Sequence, residues 1–314
     1  MTGIICLSKP QDMTSFSAVA RVRRIVGEKK AGHAGTLDPM ATGVLPILLG
    51  GATRFLEFLP TSPKRYLAVF RLGVRTDTLD STGTVLQEQE VTCTRADVEQ
   101  ALPSFRGEQL QVPPMYSAIK KDGVRMYDLA RRGIEVERDA RPITIYALNL
   151  MTEEQAGEAG VILQPLAEQE YCLDVTCSAG TYIRTLIDDL GTALGCGAVM
   201  TQLVRTQVGD FHLEQAVTLE ELERAAEQEK LEERILSVPE ALQRLTAVTV
   251  SGAQATRFRN GGELNLDRIP ALRAQAPQAD ALLRVFDPDG AFLGLGKADP
   301  EAGLLTVKRV FVGR

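Results

Sequence analysis

The chain lacks most of the groups that announce a chemistry. It has no tryptophan, two histidines and five cysteines in 314 residues. The cysteines (6, 93, 172, 177 and 196) form no CxxC pair. A disulfide framework and a zinc site are both unsupported, and reduced cytoplasmic thiols are expected. There is no P-loop, no dinucleotide fingerprint and no His/Cys cluster, so nothing points to a cofactor or a bound metal. No apolar run approaches the roughly 20 residues of a membrane span. The apolar piece near the N-terminus, Ile4 to Leu7, is short and has no basic lead, which speaks against a secretory signal. A cationic excess is missing as well, since the net charge is −6.

What is present is 44% hydrophobic and 24% charged residues. That suffices for one large domain and one small one, each with its own core. The charge is unevenly spread. Residues 1–76 carry eleven Lys/Arg against four Asp/Glu, or +7, which leaves −13 for the remainder. A positive face on an acidic protein can bind phosphates, although an ordinary solvated mixture would look the same.

One stretch organises the rest, Gly32 to Arg54. It opens glycine-rich and polar (Gly32-His33-Ala34-Gly35-Thr36-Leu37-Asp38-Pro39), runs into an apolar strand and ends in a second glycine turn. Asp38 stands alone between loop and strand, and Pro39 biases it towards extended geometry. A carboxylate so held suits a nucleophile or a base. On chemistry alone an Asx turn, with Asp38 satisfying local amides, is the plainer reading.

The flanking chain reads as mixed α and β. Ile4–Leu7 is a short strand. Thr14 or Ser15 caps a helix whose apolar stripe is Phe16, Val19, Val22 and Val26, leaving Arg21 and Arg24 free for phosphates. Tyr66, Ala68, Phe70 and Leu72 share one face of a strand. Thr94 to Leu102 is a helix. Lys120 to Arg141 is basic and holds a short helix. Pro142–Leu150 and Tyr171–Cys177 are strands, separated by an acidic loop at Thr152–Glu170. Tyr182 to Gly191 opens a helix with Arg184 in its first turn, where a cation gains nothing from the helix dipole, so a specific partner is expected. Thr218–Leu231 is an acidic helix. From about Thr246 short strands and the turn Asp287-Pro288-Asp289-Gly290 suggest a small β-rich domain, with Glu263–Ala281 as a loop.

Several of these stretches match one family. Gly35–Gly43 (GTLDPMATG), Lys64–Gly73, Thr76–Gly83, Gln111–Lys120 (QVPPMYSAIK), Gly180–Gly191 and Leu203–Gly209 resemble the motifs of the TruB family of tRNA pseudouridine synthases. Lys9, Pro10, Thr14 and Ser15 fit a further motif, with Asp12 where glycine is usual. The resemblance implies an α+β pseudouridine synthase fold with a mixed, largely antiparallel central sheet. It also implies a catalytic domain over 1–245 with an RNA-gripping insert at about 120–141. Residues 246–314 would form a small PUA-like RNA-binding domain.

The implied reaction is isomerisation of uridine to pseudouridine at position 55 of the tRNA T-loop, with no cofactor. The enzyme would be cytoplasmic and monomeric, with tRNA as partner and neither a membrane nor an obligate protein. By the same likeness Asp38 is the catalytic carboxylate, Arg184 its partner and Tyr66 the tyrosine against the target base. His33, Tyr182, Leu203, Lys9 and Lys120 would contact substrate, His33 by filling the gap left when the uridine flips out. Whether Asp38 adds to the base, attacks C1′ or removes a sugar proton is open at this level. The rival readings are a tRNA-folding chaperone and a guide-RNA-dependent synthase subunit. A glycoside hydrolase would need a second acid motif, which is lacking.

Overall fold

In the computed structural model, residues 1–117, 119–121, 123–130, 132–274 and 277–312 are described. The first part of the chain runs β1 (Gly3–Lys9), α1 (Ser15–Val26), β2 (Ala31–His33), β3 (Thr42–Leu49), β4 (Lys64–Leu72), β5 (Val74–Thr76), β6 (Val85–Glu88), α2 (Arg95–Ala101) and β7 (Gly107–Gln111). Then come β8 (Lys120–Lys121), β9 (Val124–Arg125), α3 (Met126–Ala130), β10 (Arg141–Met151), α4 (Glu153–Glu158), β11 (Glu170–Cys177), α5 (Ile183–Ala193), β12 (Ala198–Val208) and β13 (Phe211–His212). The helices α6 (Leu219–Glu227) and α7 (Val238–Ala241) complete this part.

The central sheet has the order β1-β3-β12-β4-β11-β10-β7. Only β3 and β12 run parallel; the remaining pairs are antiparallel. It is therefore the mixed, largely antiparallel sheet the sequence led us to expect. Alternation along β4 explains how both faces are buried. Tyr66, Ala68, Phe70 and Leu72 join Ile183, Leu186 and Ile187 of α5 in one core. Leu67 and Val69 face the other way, towards Ala156 and Val161. The segment read as an acidic loop thus contains a helix, α4. Thr152 and Gln155 form its capping box, and its single fully buried residue, Ala156, was too weak an apolar pattern to reveal it.

Helix α1 starts at Thr14, whose side chain accepts from Ser17 N, and ends at Gly27, φ +66°. Its buried stripe is Ser15, Ala18, Val19, Val22 and Val26, and Phe16 is 77% exposed. Phe16 was expected in the core and lies outside it: Val19, Val22 and Val26 are buried as expected, but the stripe extends to Ser15 and Ala18 and leaves Phe16 at its edge. Arg21 is tied to Glu223 of α6 and joins two helices instead of facing solvent phosphates. The acidic helix is shorter than expected and stops at Glu227.

A second sheet has the order β14-β16-β17-β18-β15, built from β14 (Thr246–Thr249), β15 (Leu264–Asn265), β16 (Leu282–Phe286), β17 (Phe292–Asp299) and β18 (Leu304–Val310). It also carries two helices, α8 (Gly252–Arg259) and α9 (Pro270–Ala274), which the strand-only reading missed. The capping box of α8, Ser251 with Gln254, was legible. Phe292 of β17 and Phe311, just past β18, pack tilted and edge-on against Phe55, which follows β3, at 6.0 and 5.9 Å between ring centroids, and tie the second part of the chain to the first.

Candidate active site

One rung across the central sheet carries the site. Lys9 of β1 pairs with Gly43 of β3, Gly43 with Arg205 of β12, and Arg205 with Tyr66 of β4. Gly43 has φ +97°, and a Cβ there would lie 2.2 Å from the Arg205 carbonyl oxygen. Only glycine allows the two strands to meet so closely. The loop carrying Asp38 lies over this rung.

Each side of the loop is held by a buried polar side chain. Ser15 Oγ donates to Leu37 O at 3.0 Å and accepts from Leu37 N at 2.8 Å. Lys9 is fully buried and donates to the carbonyls of Pro10, Met13 and Pro39 at 2.7, 2.7 and 3.2 Å. All three of its hydrogens are used, so Lys9 braces the loop and has no donor to spare for a substrate. Arg205, also fully buried, donates to Val44 O at 2.8 Å, Gly35 O at 3.1 Å and Thr36 O at 3.3 Å. Asp12 adopts φ +60°, so the left-handed turn that glycine would make is kept by an aspartate.

Asp38 is fixed from the opposite side. Arg184 Nε lies 2.9 Å from Asp38 Oδ2 and Arg184 Nη1 lies 3.4 Å from Asp80 Oδ2. Nη1 also donates to Thr78 O at 2.8 Å and Nη2 to Tyr116 O at 2.9 Å. The Arg184 side chain is 5% exposed and that of Asp38 is 35% exposed. The carboxylate therefore faces open space while its partner is enclosed. Burial raises the Asp38 pKa above the usual carboxylate value; Arg184 opposes this, and Asp80 adds to it. Asp80 Oδ1 accepts from Thr78 Oγ1, Thr82 N and Thr82 Oγ1 at 2.8, 3.0 and 2.6 Å, so the Thr76–Gly83 turn is an anchor for Arg184.

The open space is a cavity of about 230 Å³ lined by Asp38, Tyr66, Tyr116, Tyr182, Arg184 and Leu203, together with Lys64 and the 180–181 turn. It is smaller than the ~300–1,000 Å³ of drug-sized sites and suits one inserted base. Tyr66 and Leu203 are each 6% exposed and form its apolar side. Burial raises the Tyr66 pKa, so its phenol stays protonated at neutral pH. Tyr182 is the residue before α5, and its backbone exchanges two hydrogen bonds with the buried Gln111 side chain, at 2.8 and 3.0 Å. The extended Gln111-Val112-Pro113-Pro114 run thereby sets where α5 begins, and so where Arg184 points.

His33 ends β2 beside the loop and does not line the cavity. Burial followed by the Arg205 charge lowers its pKa, with the Gly35 backbone acting the other way. Lys120 belongs to the short β8–β9 hairpin, and its side chain lies outside the described residues.

Sequence reasoning missed four holding residues: Arg205, Asp80, Ser15 and Gln111. Each stood inside a quoted motif, but a motif does not say which backbone atoms its polar residues will meet. Among the described residues no group of His, Cys, Asp and Glu could hold a metal ion, and no helix is long and apolar enough to cross a membrane.

Comparison with known proteins gives a consistent answer. Residues 23–183 match the model of the TruB family pseudouridylate synthase N-terminal domain. Residues 184–243 match the tRNA pseudouridylate synthase B C-terminal domain, and 246–311 match the C-terminal model of pseudouridine synthase II TruB. A tRNA pseudouridine synthase B of Burkholderia mallei (strain NCTC 10247) is 43% identical over 99% of this chain and 97% of its own. One of Pseudomonas paraeruginosa is 44% identical over 95% and 92%. Among solved structures, the chain is similar to one in an H/ACA RNP bound to a substrate RNA (TM-score 0.70, 25% identity, 99% and 86% coverage). It is also similar to one in a Cbf5-Nop10-Gar1 complex (0.70, 27%, 99% and 85%).

Proposed function

The chain belongs to the TruB family of pseudouridine synthases, and from that premise we propose that it isomerises a T-loop uridine of tRNA, position 55 in tRNA numbering, with Asp38 as the essential carboxylate. The observation that carries the assignment is the Asp38–Arg184 pair at the floor of a one-base cavity. Arg184 engages Oδ2, and no hydrogen bond among the described residues engages Oδ1. One oxygen is thus oriented and the other is free to meet C1′ or the base. The reaction breaks the N1–C1′ bond, turns the base and joins C5 to C1′.

Each neighbour has a part in that sequence. Arg184 keeps Asp38 ionised against the cost of burial, which otherwise favours the neutral acid. Tyr66 and Leu203 hold the planar base against the carboxylate during its rotation. A protonated Tyr66 is suited to packing and to relaying a proton more than to abstracting one. A stacked uridine cannot reach the cavity, so it must flip out of the RNA. In this reading His33, beside the loop, fills the gap. Residues 1–245 form the catalytic unit in this reading, with residues 120–141 closing on the T-arm and residues 246–314 adding RNA contacts. The enzyme acts in the cytoplasm without an obligate protein partner.

The similarity to H/ACA particle chains raises the guide-dependent reading. It stands at 25–27% identity, against 43–44% for the tRNA pseudouridine synthases B, and the stand-alone reading is the better supported. The deciding experiment incubates unmodified tRNA with wild type or Asp38→Asn and maps pseudouridine by carbodiimide labelling and primer extension. One modified T-loop uridine with wild type alone is expected. Modification by both would remove Asp38 as the catalyst. Binding without modification by either would favour a chaperone or a guide-dependent subunit.

A further inference from the structure

Lys64 opens β4 two residues before Tyr66, on the same face, and lines the same cavity as Asp38. Its side chain reaches across to the Asp38 loop. A Cβ at Gly35 would lie 3.0 Å from Lys64 Nζ, so the absence of a side chain there makes room for the ammonium. No hydrogen bond or ion pair among the described residues engages that ammonium.

The surrounding charges explain why it lacks a partner. Arg184, Arg205 and Lys9 are the other cations, and the carboxylates are Asp38, Asp80 and, beside Lys9, Asp12. Arg184 engages Asp38 and Asp80, while Arg205 and Lys9 are engaged by backbone carbonyls. From β11, burial pushes the Cys177 thiol up to about 11, so it is neutral. From β2, His33 has a lowered pKa. Tyr66 is a neutral phenol. Nothing anionic is left for Lys64, and the site carries more positive charge than its own groups balance.

We propose that Lys64 is a further substrate-contacting residue, whose ammonium takes a backbone phosphate of the RNA beside the flipped uridine. Phosphate is the anion every RNA substrate brings, and Lys64, itself half-buried, lines the open cavity together with the exposed Thr36. The inference rests on the reading of the chain as a synthase acting on a flipped nucleotide. Burial and the Arg205 charge bring the Lys64 ammonium down to about 8. A phosphate placed against it reverses that, so binding takes up a proton and weakens as the pH rises past this value.

The test measures affinity for a T-arm stem-loop RNA against salt and pH, with wild type, Lys64→Met and Lys64→Arg. Circular dichroism confirms folding. Removing one phosphate contact should lower the slope of log affinity against log salt by about one. Lys64→Met is expected to show that loss and a shallower pH response than wild type between about 7 and 9, where Lys9, also brought down to about 8 by burial, is the remaining site group that titrates. Lys64→Arg is expected to keep the salt slope and to show the same shallower pH response as Lys64→Met, because guanidinium does not titrate there. An unchanged slope and pH response in Lys64→Met would overturn the proposal, as would a loss confined to turnover, which would assign Lys64 to the base. If wild type binds the RNA but leaves its uridine unmodified, the function reading falls first and takes this inference with it.

Discussion

Replacing Arg184 by lysine should separate the charge at this site from its geometry. The guanidinium spans four acceptors at once: Asp38, Asp80, Thr78 O and Tyr116 O. A lysine keeps the positive charge but gathers its donors at one point. It can lie between the two carboxylates only by abandoning the two carbonyls. Both carbonyls are part-buried, so each left unpaired costs about 1–2 kcal/mol, the lower part of the range for a buried group, and the variant should lose roughly 2–4 kcal/mol of stability. At about 2–4 °C per kcal/mol for a domain of this size, its melting midpoint falls by about 5–15 °C. It should remain folded at 25 °C.

The effect on turnover should be larger than stability alone implies. Asp38 loses its fixed orientation, and a misplacement near 1 Å costs about 10²-fold in rate. Arg184→Gln provides the contrast, because it removes the charge. Burial already holds the Asp38 pKa above its ordinary value, and Arg184 is the main influence in the other direction. Without it the pKa rises further, and the acid limb of kcat/KM moves to higher pH. In Arg184→Lys the limb should stay near its wild-type position while the plateau drops. Single-turnover rates on a T-arm stem-loop across the acid range, with a melting curve at each pH, read both effects. A folded Arg184→Lys with turnover close to wild type would refute the orientation argument. An acid limb unmoved in Arg184→Gln would refute the electrostatic one.

Three further outcomes follow from the same geometry. Because the folded-state pKa of Asp38 is raised, its stabilising contribution is complete below the unfolded value and is lost as pH rises through the folded one. Asp38→Asn should therefore be inactive yet melt no lower than wild type at neutral pH, with the difference shrinking towards about pH 4; calorimetry showing a lower neutral midpoint would contradict this. Arg205→Met strips the partner from the carbonyls of Val44, Gly35 and Thr36. It should cost about 3–5 kcal/mol and speed hydrogen exchange across residues 34–41; protection equal to wild type would show that the clamp is dispensable. Gly43→Ala forces a Cβ against the Arg205 carbonyl at φ +97°. It should cost more than about 4 kcal/mol, and a wild-type melting midpoint would mean the strands can part cheaply.

The legible features were those set by local pattern. Alternation placed Tyr66, Ala68, Phe70 and Leu72 on one face, and all four lie in one core. Thr94 and Thr218 mark helix starts, each with a capping box, because capping is a short-range matter. Phe16 failed because a hydrophobic residue at the edge of a helical stripe can fall on either side of it. Helices α4 and α8 were passed over because each buries only one or two side chains, which leaves little periodicity to read. In the site, the motifs supplied Asp38, Arg184 and Tyr66 as candidates, and the helix-dipole argument required a partner for Arg184. The roles of Lys9 and Arg205 stayed hidden. Both act on backbone carbonyls, and a carbonyl acceptor leaves no trace in the sequence of side chains.

The Arg205 clamp also dictates when the site can come into being. Its hydrogen bonds reach back 161, 169 and 170 residues along the chain. At a synthesis rate of about 5–20 residues per second, the Asp38 loop leaves the ribosome roughly 8–34 s before its brace exists. For most of that interval the loop has neither Arg184 nor Arg205 to hold it, since Arg184 precedes Arg205 by only 21 residues. A nascent chain stalled before β12, or a proteolytic fragment ending there, carries the whole GTLDP segment without a formed site. Asp38 comes under its full set of restraints only when β12 slots between β3 and β4. Until then the loop and its carboxylate are ordinary unfolded chain, so the enzyme cannot begin work on RNA before most of its central sheet has been made.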